Sequence, residues 1–413
     1  MTGRRLKSAL CLLVVCVFSV TSYLQYVYTN SVSFSDVYVT RTEVDKDAAD
    51  ATNLTVSSSA DRDGPGLEQN GAKRADVTDD IKTILLWTSK YGRADFGIGL
   101  GRAGFLRKCA ESRCSVTANT SLAATVDAIL FHAWETSAEN MPPRIRPDQI
   151  WIFYCLESPL TVQRKIRGTN NKYNLTITYL NDPETDIVTR IRKLKPPLNP
   201  ILASEVVQRK SRTAVWPVSN CDGASSQRNE YARQLSSYVD LDVYGRCGNL
   251  SCPIEDKSNC YSQFEADYYF YLSFENSVCE QYITEKVYSA LRRHMIPVVL
   301  GGGDYKRLLP PTSYIDVRDF NSPRHLADFM IYLQSNTSAY LEYFAWKAKA
   351  SHYIERFERL APSHGKTGAF CRLCQILHDR TYKYKKDFNL ERYWSAERWC
   401  VSGWKEKKVI HLT

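Results

Sequence analysis

The residues best suited to chemistry cluster between Tyr271 and Lys286, in the string YLSFENSVCEQYITEK. Glu275 and Asn276 follow directly on an aromatic run that reads as a strand. Thr284 then reads as the N-cap of the next helix, with Glu285 in its first turn. Strand ends and helix N-termini converge at the mouth of an α/β unit, where free backbone N–H groups and the helix dipole favour a phosphate. Lys286 can neutralise a phosphate oxygen, and a carboxylate such as Glu285 can accept hydrogen bonds from ribose hydroxyls. The pattern therefore suits a nucleotide diphosphate, although spacing alone also permits a helix cap with solvated charges.

Such a site needs strands that end beside helix starts, and the chain supplies them repeatedly. IKTILLW from Ile81, TVDAILFHA (Thr125 to Ala133) and QIWIFYCLE (Gln149 to Glu157) are apolar runs bounded by polar residues, as expected of buried strands. TAVWPVS, DLDVYG, YYFYLSFEN, IPVVLGG and SYIDVRDF continue the series. Between them, QRNEYARQLSSYV places Tyr231, Leu235 and Tyr238 at helical spacing, and Val287, Ala290, Leu291 and Met295 mark the buried stripe of the helix after Thr284. Ser322 as N-cap and Pro323 at the first helical position open a further helix expected to run through Trp346. Strand–helix–strand repetition predicts an α/β fold of parallel sheets. Two such halves, joined near Pro196 to Glu205, predict two facing doubly wound domains with ligands at the strand carboxyl ends in the cleft.

Composition narrows the compartment. With 44% hydrophobic and 24% charged residues over 413 positions the chain is globular, and its net charge of +9 is spread too thinly to form a nucleic-acid arm. Ala9 to Tyr28 is apolar, about long enough to cross a bilayer, and follows Arg4, Arg5 and Lys7, which keeps the short N-terminus cytosolic. A cleaved signal peptide is the competing reading. The stretch to Asp80 is rich in Ser, Thr, Asp and Gly and reads as a stem. Sequons at Asn53, Asn119, Asn174, Asn249 and Asn336 agree with a lumenal body. Eleven of the thirteen cysteines lie downstream of the apolar stretch. Their clusters (Cys109/Cys114, Cys247/Cys252/Cys260, Cys371/Cys374) suggest short disulfide staples, with one thiol left over by parity. His378 follows Cys374 without a second His at finger spacing, which argues against zinc.

The string FENS…YITEK followed by IPVVLG resembles the signature of the α1,3/4-fucosyltransferases, glycosyltransferase family 10. WIFYCLESP, YNLTITY with Asp186 and Ile187, and CRLC match further segments of that family in order, so the resemblance spans about Ile81 to Cys400. It implies a GT-B fold, two facing Rossmann-like domains, and inverting transfer of L-fucose from GDP-β-L-fucose to the 3-hydroxyl of N-acetylglucosamine. Glu157, matching the glutamate of the ESP tripeptide, is the implied general base. Arg228 and Lys286 are implied to bind the diphosphate, and Asn276, Tyr282 and Glu285 to contact the nucleotide sugar. The implied acceptor is an N-glycan or another glycan bearing N-acetylglucosamine, on a core or an antennal residue. Gln281 stands where many members carry Asp, and Leu180 where Arg often follows the TY pair.

No cofactor is expected beyond the GDP-fucose donor. Asp240 and Asp242 mimic a metal motif but sit at the beginning of the strand ending at Gly245, away from the expected phosphate mouth, so a required metal is not expected, and manganese enters at most as a stimulant. The expected division is a cytosolic tail over 1–8, a transmembrane signal-anchor over 9–28, a stem over 29–80, an acceptor-binding Rossmann-like domain over 81–205, a GDP-fucose-binding Rossmann-like domain over 206–365, and a disulfide-containing C-terminal segment over 366–413. The setting that follows is a single-pass type II protein of the Golgi membrane, with a homodimer allowed. Two other classes compete: a catalytically inactive glycan- or nucleotide-binding protein of the same fold, and a disulfide-rich adhesion ectodomain. The strand–helix alternation disfavours the ectodomain.

Overall fold

A computed structural model describes residues 80–102, 106–189, 203–252, 257–353 and 365–404. The first apolar runs become strands β1 (Lys82–Leu86), β2 (Cys114–Thr117), β3 (Ala128–His132), β4 (Ile150–Cys155), β5 (Leu175–Thr178) and β6 (Ile187–Val188). They form one sheet in the order β2-β1-β3-β4-β5-β6, with every pairing parallel. β3 is buried along its whole length, as a parallel sheet covered on both faces requires.

The second lobe opens with helix α1 (Ala203–Arg209), which spans the expected domain boundary at 205. It continues through β7 (Arg212–Pro217), α2 (Arg228–Leu235), β8 (Leu241–Tyr244), α3 (Lys257–Asp267), β9 (Tyr268–Phe274), α4 (Glu285–Leu291), β11 (Ile296–Leu300) and β12 (Ile315–Asp316). Its sheet runs β12-β11-β9-β7-β8, again all parallel. Strand order reverses between β7 and β9, and the crevice outside the carboxyl ends of two such strands is the place for a ligand. The two-lobed α/β expectation therefore holds for the described residues.

Several local expectations fail for identifiable reasons. The helix opened by Pro323 does not reach Trp346: α5 (Pro323–Ser335) stops at Asn336, whose side chain accepts the Ala339 N–H and starts α6 (Thr337–Glu342). Trp346 lies in a following 3-10 turn. SYIDVRDF contributes only the two residues of β12, because the Asp316 carboxylate then accepts the Arg318 N–H and tightens the chain into a turn. Tyr238 falls beyond α2 and is 46% exposed.

The cysteines differ most from expectation. Only Cys252–Cys260 is a short staple. Cys109 pairs with Cys371 and Cys114 with Cys374, so these two clusters pair with each other rather than within themselves, while Cys221 pairs with Cys247 and Cys279 with Cys400. Cys155 is the free thiol, buried. The two bridges to 371 and 374 hold α7 (Gly365–His378) on the first sheet, where Ala369, Phe370, Leu373 and Ile376 join the core around Ile84, Leu130 and Ile152. The C-terminal segment is thus part of the first lobe. It then crosses to the second, where β13 (Cys400–Val401) pairs antiparallel with β10 (Val278–Cys279).

Among the described residues no helix is long and apolar enough to cross a membrane. The expected anchor over 9–28, the stem up to residue 79, the Asn53 sequon and residues 190–202 at the expected junction lie outside the described residues.

Cys109–Cys371 and Cys114–Cys374 each close a loop of more than 250 residues, but once one is formed the other closes only the few residues between neighbouring cysteines. Replacing either pair by alanine is expected to cost about 2 kcal/mol, and replacing both more than twice as much. Thermal unfolding of the three variants checks this, and simple additivity would contradict it.

Candidate active site

The carboxyl ends of both sheets carry the candidate residues and meet through side chains. Glu157 lies two residues beyond β4, and its Oε2 accepts a hydrogen bond from the Tyr282 hydroxyl of the second lobe at 3.1 Å. The next residue, Ser158, is fully buried and donates to Ser277 Oγ at 2.8 Å. Asn181, just past β5, donates its N–H to Gln281 Oε1 at 2.8 Å, so Gln281 serves here as a tie between the lobes. Leu180 beside it is fully buried.

Tyr282 is 2% exposed, with its ring 5.2 Å from that of Tyr179. Burial, with the charges of Glu157 and Glu275 added, pushes its hydroxyl well above the ordinary value, so it remains a donor. The other Glu157 oxygen, Oε1, accepts from Tyr91 Oη at 2.6 Å. Desolvation and the Glu157 charge hold the Tyr91 hydroxyl protonated as well. Glu135 accepts the Tyr91 N–H at 2.8 Å and binds His132 Nδ1, at the end of β3. Burial depresses the pKa of that imidazole.

On the second lobe, Glu275 follows β9 and is 1% exposed. Its Oε1 accepts from Thr284 N (2.8 Å) and Thr284 Oγ1 (2.9 Å), and its Oε2 from Lys286 Nζ (2.9 Å). Thr284 is the N-cap of α4, but the cap bond is made to Glu275 rather than by its own side chain. Burial raises the pKa of Glu275. The same burial pulls Lys286 down, but the Glu275 and Glu285 carboxylates outweigh it and hold the ammonium charged. Lys286 keeps 24% of its side chain exposed, and Glu285 keeps 44%, 3.9 Å away. This packing requires the glycines after β11: a Cβ on Gly302 would stand 2.3 Å from the Cys279 carbonyl oxygen, and one on Gly301 3.1 Å from Glu275 Cγ.

Arg228 opens α2 beside the β7/β9 reversal and is 3% exposed, not the surface arginine that helix starts commonly carry. Nη1 donates to the Phe274 carbonyl and Nη2 to that of Asn220, both at 3.0 Å. Its Nε and the Oδ1 of Asn276 are buried without a hydrogen-bond partner among the described residues. The Asn276 carbonyl also accepts from Ser226 N at 3.1 Å. Glu157 and Tyr282 thus touch, Lys286 adjoins both Glu275 and Glu285, and Arg228 and Asn276 flank the same strand end.

Sequence reasoning gave Glu275 no role in binding and passed over Tyr91 altogether. The FEN string carried a signal for Glu275, whereas nothing in the loop after β1 singles out Tyr91. Asp242 is bound by Arg212 and by the Tyr268 hydroxyl (2.6 Å), the first residues of β7 and β9, at the end of the sheet opposite the site. Cys114, Cys374 and His378 converge closely, but both sulfurs are in disulfides and offer no thiolate to a metal. Trp151 is core, whereas Trp134 is 37% exposed under Lys165 Nζ at 4.7 Å. Asn119 and Asn249 are exposed and Asn336 caps α6. The Asn174 amide is engaged by Trp151 N and the Lys385 carbonyl.

Two family models match: "Fucosyltransferase, N-terminal" over residues 79–191 and "Glycosyltransferase family 10 (fucosyltransferase) C-term" over 207–393. Alpha-(1,3)-fucosyltransferase C of Drosophila melanogaster is 35% identical over 360 residues, covering 80% of each chain. The 4-galactosyl-N-acetylglucosaminide 3-alpha-L-fucosyltransferase FUT5 of Homo sapiens is 34% identical over 310 residues, 72% of this chain and 76% of its own. A crystal structure of an alpha1,3-fucosyltransferase with GDP-fucose is similar at a TM-score of 0.49 and 16% identity, over 78% of this chain and 96% of that one. Matched by a family model in each lobe and by relatives of this identity, the chain belongs to the fucosyltransferases of glycosyltransferase family 10.

Proposed function

We propose that this protein transfers L-fucose from GDP-β-L-fucose to the 3-hydroxyl of an N-acetylglucosamine in a glycoprotein glycan, with inversion at the sugar. The observation that carries this reading is the Tyr282–Glu157 hydrogen bond, which sets a carboxylate of one lobe against the cationic strand end of the other. Glu157 takes the proton of the acceptor hydroxyl as its oxygen attacks the anomeric carbon. The bond from that carbon to the diphosphate oxygen breaks, and GDP leaves with the electron pair. Lys286 and Arg228 meet the charge that develops on the leaving phosphate, aided by the N-terminus of α4. Asn276 binds the nucleotide sugar through its unpaired carbonyl oxygen, Glu285 accepts from the ribose hydroxyls, and Tyr282 lines the pocket while holding the base.

In this scheme protein cations compensate the leaving group, so no metal is required and manganese acts at most as a stimulant. The two lobes take the GT-B arrangement. The setting is the Golgi lumen, with the chain anchored as a type II protein by residues 9–28. Five disulfides among the described residues support an oxidising compartment, and exposed Asn119 and Asn249 support glycosylation there. A homodimer is compatible with this setting.

The test is fucose transfer by the full-length protein in detergent to a panel of core and antennal glycans. Glu157→Gln is expected to lower kcat by about 10²- to 10⁴-fold while GDP binding, measured by calorimetry, persists. Retained turnover would remove Glu157 as the base, and absent GDP binding by folded wild-type protein would remove the reading itself. Glu275→Gln frees Lys286 from its counter-charge, and GDP affinity is expected to fall about tenfold, one charge-assisted contact. Unchanged affinity would show that Glu275 does not position the lysine.

A further inference from the structure

Both oxygens of the Glu157 carboxylate are occupied by phenols, one from each lobe. A general base must receive its proton from a hydroxyl within hydrogen-bond reach of one of those oxygens, so a phenol already donating there competes with the acceptor for that oxygen. The two are not equivalent. Tyr282 is buried, and its N–H is bound to the Cys279 carbonyl at 3.1 Å, beside the Cys279–Cys400 bridge. Tyr91 is 55% exposed and sits in the left-handed region at φ +49°, followed by Gly92 at +79°. A tyrosine adopts that conformation only where its surroundings hold it. Three contacts hold it here: Glu135 on the N–H, an edge-on approach of the ring to His132 at 5.1 Å, and the hydroxyl on Glu157.

We propose that Tyr91 is a positioning residue that stands in for the acceptor, its hydroxyl occupying Glu157 Oε1 in the acceptor-free enzyme until the hydroxyl to be fucosylated displaces it. The proposal rests on Glu157 being the base. While in place, Tyr91 keeps the carboxylate extended into the cleft. When it swings out, Tyr282 stays on Oε2 and preserves the carboxylate's direction. The acceptor then donates to Oε1 and its proton passes there, while Tyr91 keeps its own. The acceptor therefore competes with an internal donor, and its apparent affinity is reduced by the fraction of enzyme in which Tyr91 has already withdrawn.

The experiment is steady-state kinetics of full-length Tyr91→Phe, which retains the ring against His132 and loses only the hydroxyl. The acceptor KM is expected to fall about three- to tenfold, the part of a charge-assisted hydrogen bond that water does not replace. Both kcat and the GDP-fucose KM are expected to stay within about twofold, since the donor side is untouched. A merely structural tyrosine would not tighten acceptor binding when altered. An acceptor KM that is unchanged or raised overturns the proposal. Glu157→Gln assayed in parallel separates the two readings: retained turnover removes the base and the stand-in together. Lost turnover combined with an unaltered acceptor KM in Tyr91→Phe removes the stand-in alone.

Discussion

A carboxylate at 1% exposure is tolerated only when its charge is paired and its lone pairs are hydrogen-bonded, and the second-lobe side of this site is organised around satisfying Glu275 in that way. The free N–H at the start of α4, the Thr284 hydroxyl and the Lys286 ammonium converge on it. That fixes where α4 begins and where its positive end points. It also fixes Lys286 at the boundary between core and cleft, with its charge maintained by the carboxylates and part of its surface open. The three glycines after β11 follow from the same demand, since side chains there would collide with Glu275, Cys279 and Ile283. A strand end, a helix start and a glycine turn thus form one rigid unit.

The C-terminal segment couples this unit to the opposite lobe. Tyr393 and Trp394 pack with Phe153 and Tyr179 under the end of β4, and Glu280 donates its N–H to the Trp399 carbonyl at 2.7 Å. The chain next pairs with β10 and is locked by Cys279–Cys400. Tyr282 lies within this knot and reaches Glu157 without an exposed hinge between them. The buried Ser158–Ser277 contact acts alongside it. The relative placement of Glu157 and the Glu275–Lys286 pair is thus held by packed side chains and a covalent bridge.

How much of this was legible in sequence depends on whether the signal is local. Strand runs such as AILFH, the Ser322 cap with Pro323, and the step from YLSFEN to TEK are written in adjacent residues, and they located the sheets and the strand end and helix start that carry Glu275 and Lys286. Disulfide pairing is spatial: Cys109 and Cys114 neighbour each other in sequence yet bond to Cys371 and Cys374, because α7 returns to the first sheet. The break at Asn336 escaped because periodicity does not register a side chain that competes with the backbone for an N–H. Arg228 was placed correctly at a helix start, but its burial depends on the Phe274 and Asn220 carbonyls, distant in sequence.

The two sides of the cleft are consequently encoded in different ways. The second-lobe residues Glu275, Lys286 and Arg228 stand at the ends of elements whose other residues are core, so their positions follow from the hydrophobic pattern. The first-lobe side is built from the loop after β1, where Tyr91, Gly92, Phe96, Gly97, Gly99 and Gly101 all have positive φ, and from the turn carrying Trp134 and Glu135. Such conformations are set residue by residue and leave no period to read. Glu157 belongs to neither class: it follows the buried strand β4, anchored through the Ser158–Ser277 bond, while its Oε1 faces the loop. Changes in the loop can therefore alter the surroundings of Tyr91 without displacing the Glu157 carboxylate.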